Sequence, residues 1–144
     1  MSADDDPVTV LSEDESWSLL TSVSLGRLVT NLRGQPEIFP VNFVTQRRTV
    51  LFRTAQGTKL FGAVMSHRVA FEADDHTVAE GWSVIDKGTA HELSANADIL
   101  DAEEAPLLPW TATLKPLYVR VIAMEITGRR FKFGPEPDRE STFT

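Results

Sequence analysis

The segment from Phe39 to Lys59 constrains this chain more than any other. It reads as an apolar strand through Thr45, a turn over 46–48, a second strand from Thr49 to Thr54, a short Gly/Thr loop, and a helix that Lys59 opens. Two strand-length runs separated by so tight a turn pair antiparallel. The same pattern continues on both sides. Gly26 to Leu32 forms a first strand with its turn over 33–36, and Glu37 to Thr45 and Thr49 to Thr54 form the second and third. His67 to Asp74 alternates as a fourth, with Val69, Phe71 and Ala73 on one face. Gly81 to Leu93 makes a long fifth, where Gly88 marks a bulge or bend. Leu117 to Thr127 is the sixth, apolar on both faces from Val119 to Met124 and so covered on both sides.

Helices interrupt this order without making parallel crossover units. Ser12 and Glu15 form a capping box for a helix whose apolar face carries Trp17, Leu19, Leu20 and Val23. A short helix from Thr58 to Met65 turns Leu60, Phe61 and Val64 inward, and 95–105 is helical in propensity. Pro106, Pro109 and Trp110 mark an irregular crossing. The expected fold is mainly β (α+β): a six-stranded antiparallel split barrel with short flanking helices, since closure removes strand edges. Residues 1–10 read as a disordered tail, 11–133 as one domain and 134–144 as a loose C-terminal tail.

Charge is unevenly spread along a chain of net charge −7. From Arg27 to Arg68 seven bases meet one acid, Glu37, whereas from Phe71 to Glu104 ten acids meet Lys87 alone. An acidic protein with one basic zone suits a small anionic ligand better than duplex DNA, so no nucleic-acid partner is expected. With 144 residues, about 70% of the unfolded surface is hidden on folding, enough for a core without metals. Cysteine is absent, which removes disulfides and thiolate chemistry. No apolar run approaches about 18 residues, and the acidic N-terminus lacks a signal-peptide pattern. A cytoplasmic protein with no membrane partner is the expectation.

The basic zone contains the one candidate site. Arg53 and Lys59 bracket a loop carrying Thr54, Gly57 and Thr58 at a strand-to-helix junction. A guanidinium fork, an ammonium, hydroxyls and free N–H groups together suit a phosphate. Asn42 lies in an otherwise apolar strand, either on a solvated face or against a heterocycle with alternating donors and acceptors. Trp82 taken alone belongs in a core or interface. Arg27 is expected to pair with an acid such as Glu72. His67, His76 and His91 lack metal-ligand spacing, and Ser83 has no nucleophile elbow around it. Arg47 and Arg48 read as a solvated hairpin tip.

Four segments in this order resemble the FMN-binding split-barrel superfamily, the pyridoxamine 5′-phosphate oxidase-like proteins. They are Gly26-Arg27-Leu28, Pro40-Val41-Asn42-Phe43, Phe52-Arg53-Thr54 through Gly57-Thr58-Lys59, and Gly81-Trp82-Ser83-Val84, with Glu125 to Arg130 as a weaker fifth. The resemblance implies a homodimer with two cofactor sites at its interface. It implies a flavin phosphate near Arg53, Thr54, Thr58 and Lys59, and a ring along Val41, Asn42 and Phe43. Trp82 would approach that ring from the partner subunit. FMN is the expected cofactor and a small organic molecule the substrate. Relatives using the deazaflavin coenzyme F-420 or binding haem define the alternatives, and Arg47, Arg48 and Arg68 could serve the longer acidic tail of the deazaflavin. The chain lacks the C-terminal substrate-binding region of true pyridoxamine phosphate oxidases, so the vitamin B6 reaction is not expected. No side chain stands out as a catalytic acid or base, which fits chemistry carried by a flavin ring.

Overall fold

A computed structural model of the chain describes residues 6–55, 57–65, 68–107 and 116–135. Its elements are β1 (Val8–Leu11), α1 (Glu13–Thr21), β2 (Leu25–Leu32), β3 (Gln35–Gln46), β4 (Thr49–Ala55), α2 (Lys59–Val64), β5 (Arg68–His76), β6 (Glu80–Glu92), α3 (Asn96–Glu103) and β7 (Pro116–Lys132). Every strand pairing is antiparallel. The sheet runs β1-β7-β4-β3-β2-β5-β6, and a further β6–β7 pairing closes six of its strands into a ring. The length of β7 makes closure possible: Pro116 to Ile122 pairs with β4, while Val119 to Lys132 pairs with β6.

The seventh strand is the departure from the six expected. Val8 to Leu11 lies along Gly128 to Phe131, so residues 8–10 belong to the sheet rather than to a tail. Strand alternation is short here and Val10 is exposed, so the sequence signal is weak, and the partner strand lies more than a hundred residues away. Residues 1–5 and 136–144 lie outside the described residues, as do most of the crossing through Trp110 and also His67.

The barrel interior follows from period-two alternation. Leu28, Val41, Phe43, Val50, Phe52, Phe71, Val84, Val119 and Val121 point inward and form one cluster with Trp17 and Leu20 of α1. Phe43 meets Phe71 edge-on, with centroids 4.6 Å apart. The capping box on α1 forms as expected: the Glu15 N–H donates to Ser12 Oγ at 3.1 Å, and the Ser12 N–H donates to Glu15 Oε1 at 3.1 Å. Among the described residues, no helix is long and apolar enough to cross a membrane.

The bulge at Gly88 is present, as a register shift against β7 between Lys87 and Gly88. A Cβ at Gly88 would collide with the Ile122 carbonyl oxygen, a backbone atom that cannot turn aside. Gly88→Ala is therefore expected to cost about 1–3 kcal/mol as an overpacking change. A urea midpoint equal to that of the parent chain would refute this account of the bulge.

Candidate functional site

Strand β4 sorts its side chains by alternation. Val50, Phe52 and Thr54 face the interior and are buried, while Arg53 lies on the outward row. The loop that follows reverses at Gly57, whose φ of +80° suits glycine. Thr54 and Thr58 come together, Oγ1 to Oγ1 at 3.1 Å. Thr58 is also the N-cap of α2. Its hydroxyl accepts from the Phe61 N–H at 3.1 Å and donates to the Ala55 carbonyl at 2.7 Å. The hydroxyl is thus largely occupied by the fold, and α2 spans only six residues, so its dipole contribution is small.

Arg53 is half-buried, and its Nε is buried with no hydrogen-bond partner among the described residues. A buried guanidinium N–H without an acceptor is costly unless something arrives to take it. Arg53 stands opposite Tyr118 of β7, and one step beyond the Phe43–Phe52 pair the β3–β4 register sets it level with Asn42. Asn42 is half-buried on the outward row, whereas the Val41 and Phe43 side chains are in the core at 4% and 1% exposure. Of the three residues at 41–43, only Asn42 and the backbone face the same way as Arg53. This donor set, a guanidinium with a spare N–H beside an amide, fits the phosphate and heterocycle of a flavin nucleotide.

Lys59 has an acidic partner of its own. Its ammonium lies 2.9 Å from Glu37 Oε1, on the inward row of β3, and two-thirds of the side chain is exposed. Trp82 is distant within one chain. It pairs with Asp75 and Arg130, and Arg130 lies twelve positions along β7 from Tyr118, about 40 Å of strand contour. The acid paired with Lys59 lies on β3, twenty-two residues earlier.

Several other cations are paired. Arg47 and Arg48 occupy left-handed positions in the β3–β4 turn, with φ of 48° and 57°. Both are exposed at the hairpin tip, as the sequence indicates, and each also has an acidic partner. Arg47 pairs with Asp101 of α3, and Arg48 with Asp14 of α1. Arg120 joins the first pair, donating to Thr49 Oγ1 at 2.7 Å and to Gln46 Oε1 at 2.9 Å. Hydrogen bonding from Arg47 holds Asp101 below the usual carboxylate range. Arg27 pairs with Glu72 at 2.5 Å, as the sequence indicates, and also with Asp74 at 2.5 Å. Burial, then the Asp74 carboxyl, push Glu72 above the usual range against the pull of Arg27. Among the described residues, no group of three or more His, Cys, Asp or Glu could hold a metal ion.

Further along β3 from Asn42 the structure opens a pocket of about 340 Å³, lined by Thr21 at the end of α1, Ser24 of the α1–β2 connection, Phe43 to Thr45 of β3, and Pro106. Sequence reasoning did not single out these hydroxyls. The run of small polar residues over 21–24, between a helix and a strand, was the available signal.

Comparison with known proteins agrees with this architecture. The family model described as pyridoxamine 5′-phosphate oxidase matches residues 12–130. Rv3129 of Mycobacterium tuberculosis is 66% identical over 100 residues, covering 69% of this chain and 91% of that protein. A structure described as the FAD-binding protein from Mycobacterium smegmatis superposes with a TM-score of 0.82 at 57% identity, covering 88% of this chain and 100% of that one. A Corynebacterium glutamicum structure named for pyridoxamine 5′-phosphate oxidase gives 0.81 at 40% identity, covering 91% and 98%. With a closed antiparallel barrel of the split-barrel type and a family match across most of its length, the chain belongs to the pyridoxamine 5′-phosphate oxidase-like family.

Proposed function

We propose that the protein is a flavin-dependent oxidoreductase that binds FMN at a homodimer interface and reduces a small organic molecule. One observation carries this reading: the buried Nε of Arg53, without a partner among the described residues and level with Asn42 at the head of the Thr54–Thr58 loop. Arg53 would hold the ribityl phosphate, with the loop N–H groups beside it, whereas the Thr54 side chain faces the interior. Asn42 and the outward backbone of β3 would face the ring. When bound, the flavin supplies the hydride or electron chemistry. Trp82 would reach the ring from the second copy, which its separation from Tyr118 along β7 supports.

The choice of flavin follows from the spare charge. Arg47 and Arg48 are engaged with Asp101 and Asp14, leaving Arg68 alone of the three residues considered for a longer acidic tail. That favours FMN over the deazaflavin. FAD is the second reading, because the 57% identical Mycobacterium smegmatis protein is described as binding it; FAD shares the same ribityl phosphate. Fluorescence titration of the purified dimer with FMN, FAD and coenzyme F-420 tests the proposal, and failure of all three to bind at micromolar concentration defeats it. Stable binding without electron transfer from NAD(P)H to any quinone, enone or nitro compound would leave a flavin carrier instead of an enzyme.

The pairing of Lys59 with Glu37 makes a further prediction. A phosphate must draw the ammonium away from Glu37, so Glu37→Gln is expected to tighten FMN binding. The gain is at most about fivefold, because exposed ion pairs are worth under about 1 kcal/mol. Unchanged or weaker affinity would show that Lys59 does not take part.

A further inference from the structure

The pocket lined by Phe43 to Thr45, the residues that follow Asn42 along β3, has a chemical character of its own. None of its lining residues is charged. The cations nearest in sequence, Arg47 and Arg48, are bound to Asp101 and Asp14. A phosphate or carboxylate placed here would surrender its hydration without a counter-charge, which is strongly unfavourable. Val23, Val44 and Pro106 contribute apolar surface. At about 340 Å³ the pocket lies at the small end of the range for ligand sites, room for one or two fused rings.

Its polar groups come from a strand edge. The Phe43 N–H donates to the Ser24 carbonyl at 2.9 Å, so Phe43 turns its backbone toward β2. Alternation turns Thr45, two residues on, toward the same edge, but the β2–β3 pairing ends at Leu25 and Asn42. The N–H and C=O of Thr45 therefore face the pocket with no strand beside them. Thr45 Oγ1 lies 2.7 Å from Thr21 Oγ1, and this pair retains acceptor capacity. A backbone donor and acceptor side by side, with hydroxyls and no charge, match a neutral carbonyl or amide group.

We infer that this pocket is the substrate side of the site and accepts an uncharged, planar carbonyl compound rather than a phosphorylated amine, an inference that rests on the flavin reading above. The probe pair 2-naphthamide and 2-naphthoate differs only in charge at the carbonyl group. In amide-resolved NMR of the purified protein with bound flavin, 2-naphthamide is expected to shift the Ser24 and Thr45 amide signals to saturation. An equal concentration of 2-naphthoate should shift them at least tenfold less. Ser24→Trp, which fills the mouth of the pocket, should abolish the response, and Val44→Trp on the β3 wall provides a second block if the first variant misfolds. Equal responses to both probes, no response to the amide, or a response that survives both blocks would each overturn the inference. If the flavin fails to bind but the amide still shifts Thr45 selectively, the flavin reading falls and the pocket assignment stands.

Discussion

Asp86→Val is expected to raise the stability of this protein at pH 8 by about 4 kcal/mol, and to raise it much less at pH 4. Asp86 points into the barrel at 0% exposure, between Phe71 of β5 and Ile126 of β7. Neither carboxylate oxygen has a partner among the described residues. Burial alone pushes its pKa from 3.8 up to about 7. The sign of the effect follows from proton counting. Between pH 3.8 and about 7 the folded protein holds a proton on Asp86 that the unfolded chain has released, so stability falls as pH rises through that window. The contribution is fully present below pH 3.8 and is lost above about 7. A shift of about three units at about 1.4 kcal/mol each gives the figure of about 4 kcal/mol. Valine suits an apolar, strand-lined position and removes the titrating group. Thermal melts of both chains from pH 4 to pH 8 provide the measurement, with a gap of about 10 °C expected at the alkaline end. Parallel curves across the whole range would mean that Asp86 does not titrate there.

Arg53→Ala should weaken FMN binding by about 100-fold or more while leaving the melting temperature of the cofactor-free protein unchanged. The two halves of this expectation separate binding from folding. Hydrogen bonds to a charged group contribute about 1.5–3 kcal/mol, and a guanidinium makes more than one to a phosphate. Without ligand, however, Arg53 Nε has no partner among the described residues to lose. Arg53→Lys keeps the charge and discards the fork, so it should recover only part of the affinity. Fluorescence quenching of FMN gives the affinities, and a scanning melt gives the stability. Wild-type affinity in the alanine variant would remove the phosphate role. A large drop in cofactor-free stability would show instead that Arg53 is a structural residue.

The elements whose cause is local were legible before the fold was known. Ser12 and Glu15 cap α1 through bonds spanning three residues, and the β3–β4 hairpin follows from its own turn. Gly88 marks its bulge because its lack of a side chain is what the site requires. Even the Arg27–Glu72 pair was readable, since the two lie on strands whose order was already implied.

The charges were not legible in the same way. The tip formed by Arg47 and Arg48 was readable as exposed, but its acidic partners, Asp101 and Asp14, are 54 and 34 residues away and were not. The partner of Lys59, Glu37, comes from β3 and was not indicated by the loop that Lys59 follows. Asp86 sits in a run that could have faced either way, and only the register with β5 and β7 turns it inward.

Sequence alone determined six of the seven strands, that they pair antiparallel, and where a basic loop lies, because backbone preference and side-chain alternation act within a few residues. Tertiary structure decided which cation is left without an acceptor, which carboxyl is sealed from water, and where an uncharged pocket opens. Those outcomes depend on distances and desolvation between strands far apart in the chain, and no local pattern encodes them.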